Sequence, residues 1–152
     1  MNTKMPILDF LIEVPPQYSD FVSQSHELLT RGGYKPKVQL KRHGLSVQYN
    51  SPNTKGNALQ FIVRDNVLHV YVYNILLYEH DGFLEKLPQT VIDEYAGYRN
   101  CTDSCDPVCD LDRYKRLCFS INGTKYRKCG SGRKLFMVDD EIATGVLSVL
   151  QK

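Results

Sequence analysis

The stretch LQFIVRDNVLHVYV, residues 59–72, decides the fold. With Asp65-Asn66 as a two-residue turn, Val63 pairs with Leu68, Phe61 with Val70 and Leu59 with Val72. Those six side chains form one wholly apolar face. A one-residue slip would send all of them to the other side of the sheet, so the register is strongly specified. The opposite face carries Gln60, Ile62, His69, Tyr71 and Tyr73, a mixed surface. An antiparallel hairpin with one face to bury is the nucleus from which the rest is read.

Upstream, the sequence predicts a second hairpin. Placing a turn at His43-Gly44 pairs Leu40 with Val47 and Val38 with Tyr49, and puts Lys37, Gln39, Lys41, Ser46 and Gln48 on the other face. Before it, Pro15-Pro16 stops whatever precedes, and a helix is expected to start near Gln17. Tyr18, Phe21, Val22, Ser25, Leu28 and Leu29 fall at the i, i+3, i+4 spacing of one buried stripe, and Gly32-Gly33 ends it.

Downstream, residues 75–96 read as one or two short helices broken at Pro88. Their apolar anchors are Phe83, Leu84, Leu87, Val91, Ile92 and Tyr95. Asn122-Gly123 is a type I′ signal joining Tyr114–Ile121 to Thr124–Cys129. Lys134–Val138 is a short strand candidate. Asp139 or Asp140 is placed to cap a last helix with Ile142, Val146, Leu147, Val149 and Leu150 inward. The fold class is α+β: a single domain over residues 1–152, its antiparallel sheet built from hairpins, with N-terminal, central and C-terminal helices packed mainly on one face.

The composition fits that reading. The chain has 152 residues, 42% hydrophobic and 24% charged, so it can bury a core without needing a metal or disulfide to fold. It is neither a disordered polyelectrolyte nor a long coiled coil. No stretch reaches the length of apolar sequence that spans a bilayer, and Asp9 and Glu13 interrupt the apolar N-terminus, so a cytoplasmic protein without membrane association is expected. The glycosylation-type triplets at Asn100 and Asn122 are then accidental.

Five cysteines, Cys101, Cys105, Cys109, Cys118 and Cys129, all lie in the last third of the chain. Their odd number argues against a disulfide scaffold. Cys105-x3-Cys109 falls within the spacing of a zinc-binding turn. In the hairpin register Cys118 pairs with Arg127 and Arg116 with Cys129, which makes Cys118 and Cys129 diagonal neighbours, about 7 Å apart or less at their β-carbons. A candidate structural zinc site therefore comprises Cys105, Cys109, Cys118 and Cys129, with sulfur–metal distances of about 2.3 Å. Buried or exposed free thiols are the competing reading. A redox dithiol is the weakest, because the spacing is not C-x-x-C.

At these residues the chain resembles a family of small uncharacterised proteins from Firmicutes. The resemblance is carried by Cys105-x3-Cys109, by Asn122-Gly-Thr-Lys-Tyr-Arg-Lys-Cys129, and by the apolar strand and acidic-start helix that follow. It extends over the N-terminal helix and hairpins, with Cys101 and Cys118 outside the pattern. The family has no assigned activity, so the resemblance implies a bacterial grouping and no function. The order helix, strand meander, helix also resembles small bacterial TfoX-like or YjbR-like domains, in architecture alone.

Charge is unevenly spread. Residues 113–134 hold eight of the 19 Lys+Arg and no acidic residue, leaving eleven basic against 17 acidic residues elsewhere. Arg116, Lys125, Arg127 and Lys128, interleaved with Tyr114, Phe119 and Tyr126, are candidates for anion or nucleic-acid binding. Edge protection by basic residues is the favoured alternative. The face with His69, Tyr71 and Tyr73, joined by Lys37 or Lys41, is a candidate ligand cradle, protein-partner surface or homodimer surface, unless the helices at 78–95 cover it. His26 and His43 suggest no ligand set, and no G-x-S-x-G, H-E-x-x-H, Walker or G-x-G-x-x-G motif is present. The expected function is a non-catalytic binding or accessory domain. A small thiol-dependent or ligand-processing enzyme, using a cysteine with His69 or Arg127, is the alternative. A weak nucleic-acid-binding module ranks below both.

Overall fold

A computed structural model describes residues 6–53, 56–73, 76, 79–80, 82–97, 117–128 and 134–151, with backbone alone at 117–119, 127, 128 and 134. In chain order the elements are α1 (Ile7–Glu13), α2 (Ser19–Arg31), β1 (Lys35–Lys41), β2 (Gly44–Asn50), β3 (Asn57–Arg64), β4 (Val67–Val72), α3 (Gln89–Ala96), β5 (Leu117–Ile121), β6 (Thr124–Lys128), β7 (Lys134–Met137) and α4 (Asp140–Leu150). Five strands form one antiparallel sheet in the order β1-β2-β3-β4-β7, and β5-β6 is a separate hairpin. The architecture is α+β, as the hairpin reading requires.

The β3–β4 hairpin has the expected register: Leu59 faces Val72, Phe61 faces Val70 and Val63 faces Leu68. Its turn residues Asp65 and Asn66 both take positive φ, 52° and 62°. That is the type I′ requirement, which the short polar side chains of Asp and Asn meet at low cost. All six apolar partners are buried.

The β1–β2 hairpin differs from expectation. Its turn is Arg42-His43, Lys41 pairs with Gly44, and Leu40 and Val38 face Leu45 and Val47. The register is displaced by two residues from a His43-Gly44 turn. A two-residue slip leaves every side chain on its original face, so hydrophobic alternation is blind to it. What fixes the position is Gly44 itself. A β-carbon there would lie 2.3 Å from the Val63 carbonyl oxygen, and its φ is +125°. Gly44 serves close approach of β2 to β3 rather than the turn. Lys35, Pro36, Lys37 and Lys41 give β1 the composition of a protected sheet edge.

Helices cover one face. Phe21 of α2 meets Phe61 edge-on, with ring centroids 5.5 Å apart, and Tyr49 meets Phe61 from the β2 side at 6.2 Å. Helix α2 starts at Ser19, after a 3-10 turn over Pro16–Tyr18. The sequence reading had no helix before Pro15, yet α1 forms there and buries Phe10 completely. Phe83, Leu84, Leu87, Val91 and Tyr95 join the same core, and the Tyr95 ring lies 6.1 Å from that of Phe136, which pairs with Val70. The segment with α3 therefore packs on the apolar face and leaves the other one uncovered by it.

Helix α4 is capped by Asp139, whose carboxylate accepts from the Ile142 N–H at 2.8 Å. Its inner face includes Ala143 and Gly145 as well as the expected Ile142, Val146, Val149 and Leu150, while Leu147 is half-buried. A β-carbon on Gly145 would sit 2.3 Å from the Lys86 carbonyl oxygen, so α4 and the 3-10 turn Leu84–Lys86 touch backbone to backbone.

Candidate functional site

The second sheet face forms a cleft of about 460 Å³. Its floor is two cross-strand rows, Ser46–Ile62–His69 and Gln48–Gln60–Tyr71. Alternation along β2, β3 and β4 places these residues opposite Val47, Phe61 and Val70, so the same three strands that build the core build the cleft. Lys41, His43 and Arg64 stand at the end nearest the two hairpin turns, Asn57 and Tyr73 at the other. Among the described residues no Asp or Glu lines it. Asp65, next along the chain from Arg64, borders a separate groove with Asp9 and Glu13.

Two floor residues are unusual for an open sheet face. Gln60 is only 4% exposed and Ser46 only 1%. Buried side-chain amides normally have partners. Here the Tyr73 hydroxyl donates to Gln60 Oε1 at 2.9 Å, which fixes the amide and leaves its NH₂ group without a described partner. His69 Nδ1 is buried and makes no hydrogen bond. The Tyr71 and Tyr73 rings lie 6.0 Å apart at 41°. The cleft thus combines a basic end, one buried nitrogen without a partner (His69 Nδ1) and aromatic surface, in the size range of small-molecule sites.

A second polar cluster joins three loops. Glu79 accepts from Ser51 Oγ (2.6 Å), the Tyr34 hydroxyl (3.0 Å) and Asn53 Nδ2 (3.0 Å). With the Tyr34 proton given to Glu79, the 3.3 Å contact to His80 is a bond donated by Nε2–H. Burial first, then the charge and hydrogen bond of Glu79, hold the Tyr34 phenol well above its ordinary range. Burial pushes the His80 imidazole down, opposed by Glu79. Glu79 has its carboxylate occupied by three donors and ties the loop after β2 to the chain after β4. That is a fastening role.

The residues singled out from sequence fare unequally. Cys105, Cys109, Cys129 and Arg116 lie outside the described residues. Cys118 lies in β5 and pairs with Arg127, as the hairpin register demands, and Lys128 pairs with Leu117. Among the described residues no three His, Cys, Asp or Glu converge as a metal site would need. Asn122 takes φ 51° in the Asn122-Gly123 turn, and its N–H donates to Glu85 Oε1 at 2.7 Å. Ile121 and Tyr126 pack against the core, and Lys125 is exposed. The basic hairpin is therefore docked on the Leu84–Lys86 turn.

Lys41, His69, Tyr71 and Tyr73 do share a face, as expected, and Lys37 pairs with Gln48 of that face. Burial of Ser46 and Gln60 was not foreseen, nor the part of Arg64. The Glu79 cluster escaped sequence reading altogether, because its members come from loops dozens of residues apart with no spacing rule. Among the described residues no helix is long and apolar enough to cross a membrane. Comparison with protein-family models, curated proteins and solved structures finds no match to this chain.

Proposed function

We propose that the protein is a non-catalytic ligand-binding or accessory domain of the cytosol, and that its ligand lies in the cleft on the second sheet face. The observation that carries this reading is the buried floor of the cleft, where His69 Nδ1 has no partner and Tyr73 fixes the Gln60 amide, with no carboxylate among the described lining residues. A polar atom withdrawn from water without a partner, as His69 Nδ1 is, is costly unless something completes it. An odd cysteine count suits a reducing compartment.

Gln48→Trp tests it, because Gln48 is half-buried in the floor and an indole there would fill the space. In a thermal-shift screen against small metabolites, compounds that raise the Tm of the native protein are expected to leave this variant unmoved. Shifts of equal size in both proteins would contradict the proposal.

A structural zinc on Cys105, Cys109, Cys118 and Cys129 remains a separate proposal, supported by the pairing of Cys118 with Arg127. The expected result is stoichiometric zinc in the purified protein, kept by Cys101→Ser and lost by Cys105→Ser. Zinc-free protein of unchanged stability would contradict it.

A further inference from the structure

Resting on that reading of the cleft, we infer that its ligand is a nucleoside 5′-phosphate, with the phosphate at Lys41 and Arg64 and the base over Gln60 and Tyr71. Charge selects the first part. Lys41, His43 and Arg64 gather at one end, and among the described lining residues no carboxylate offsets them. A guanidinium beside an ammonium is the usual protein answer to a phosphate.

The other end selects the second part. Gln60 Oε1 accepts from the Tyr73 hydroxyl, which orients the amide and leaves its NH₂ group to donate to a ligand. That NH₂ group suits an acceptor, and every nucleobase presents ring-nitrogen or carbonyl acceptors on its edge. Tyr71 pairs directly with Gln60 across β3 and β4, which brings an aromatic ring beside that amide. Stacking on such a ring tolerates any base.

Distance joins the two parts. Gln60 and Arg64 are four residues apart on β3, about 13 Å of strand. Free phosphate cannot reach both ends, nor can a single-ring acid. A ribose between base and phosphate supplies the missing length.

Isothermal titration with the four nucleoside 5′-monophosphates, the four nucleosides, inorganic phosphate and a mixed-sequence single-stranded oligonucleotide tests this on the native protein and three variants. Arg64 is exposed, so Arg64→Ala should fold normally. The monophosphates are expected to bind at least about tenfold more tightly than their nucleosides and than phosphate. Arg64→Ala should abolish that preference, Tyr71→Leu should weaken nucleotide and nucleoside alike, and Gln48→Trp should bind neither. Equal affinity for nucleoside and nucleotide overturns the anion assignment, and phosphate binding as tightly as the nucleotide overturns the base assignment. A single strand binding more tightly than every monophosphate makes the face a nucleic-acid surface instead. If no monophosphate binds while the metabolite screen yields compounds blocked by Gln48→Trp, this inference fails and the cleft stands. If monophosphates bind Gln48→Trp normally, both fail.

Discussion

Phe61 and Gln60 are neighbours on one strand and face opposite worlds. The Phe61 side meets Phe21, Tyr49 and the helices, and its residues are held chiefly by apolar burial. The Gln60 side has a basic end, a tyrosine pair and a buried amide around a cleft. A sheet needs only one covered face to be stable. The second is then free to carry chemistry, and its residues answer to a ligand rather than to the core.

This contrast can be broken most severely on the covered side. Phe61→Ala should cost about 3–5 kcal/mol in chemical denaturation, as a large-to-small change in a core with no space to collapse. Ile62→Ala, one residue along on the half-buried side, should cost less than half as much. Equal losses would mean that the open face is packed like the core. Gly145→Ala should destabilise by about 1–3 kcal/mol despite the better helix propensity of alanine, because the added methyl meets the Lys86 carbonyl. A neutral result would show that α4 does not press on that turn.

How far these features were legible in the sequence depends on what each rests on. The β3–β4 register was readable because two adjacent polar residues suited to positive φ sit between runs that align on one face. The β1–β2 register was not, since a two-residue slip preserves alternation and the deciding contact, Gly44 against Val63, lies on a third strand. Helix α1 is only seven residues long and stands before two prolines, so it draws its stability from the burial of Phe10 rather than from propensity. The face with His69 and Tyr71 was visible as a surface. Its burial of Gln60 was not, because that depends on Tyr73 reaching across the sheet. The Glu79 cluster is tertiary from end to end.

Smaller effects sharpen the comparison. Burial lowers the His26 imidazole, which shares a 2.9 Å hydrogen bond with the Tyr49 hydroxyl, and also lowers that of His80. Each therefore takes up its proton more readily in the unfolded chain. Stability is unaffected well above the ordinary histidine range and is expected to fall as the pH drops through about 6.5 and below. The slope of denaturation free energy against pH should flatten in His80→Gln. An unchanged slope would remove His80 from the account.

Asp139→Ala should cost about 1 kcal/mol through loss of the α4 cap, read from the urea midpoint. Ser25→Ala should raise stability by about 0.5–1 kcal/mol, because the Ser25 hydroxyl is buried in the helical layer with no partner. A loss instead would show that the hydroxyl is satisfied.

The most direct test of the open face as the binding face is amide-resolved NMR during titration with adenosine 5′-monophosphate. The account predicts shifts confined to residues 41–48, 60–64 and 69–73, with α2 and α4 unmoved. Shifts concentrated in the basic hairpin at 117–128, or spread over the helical layer, would contradict it.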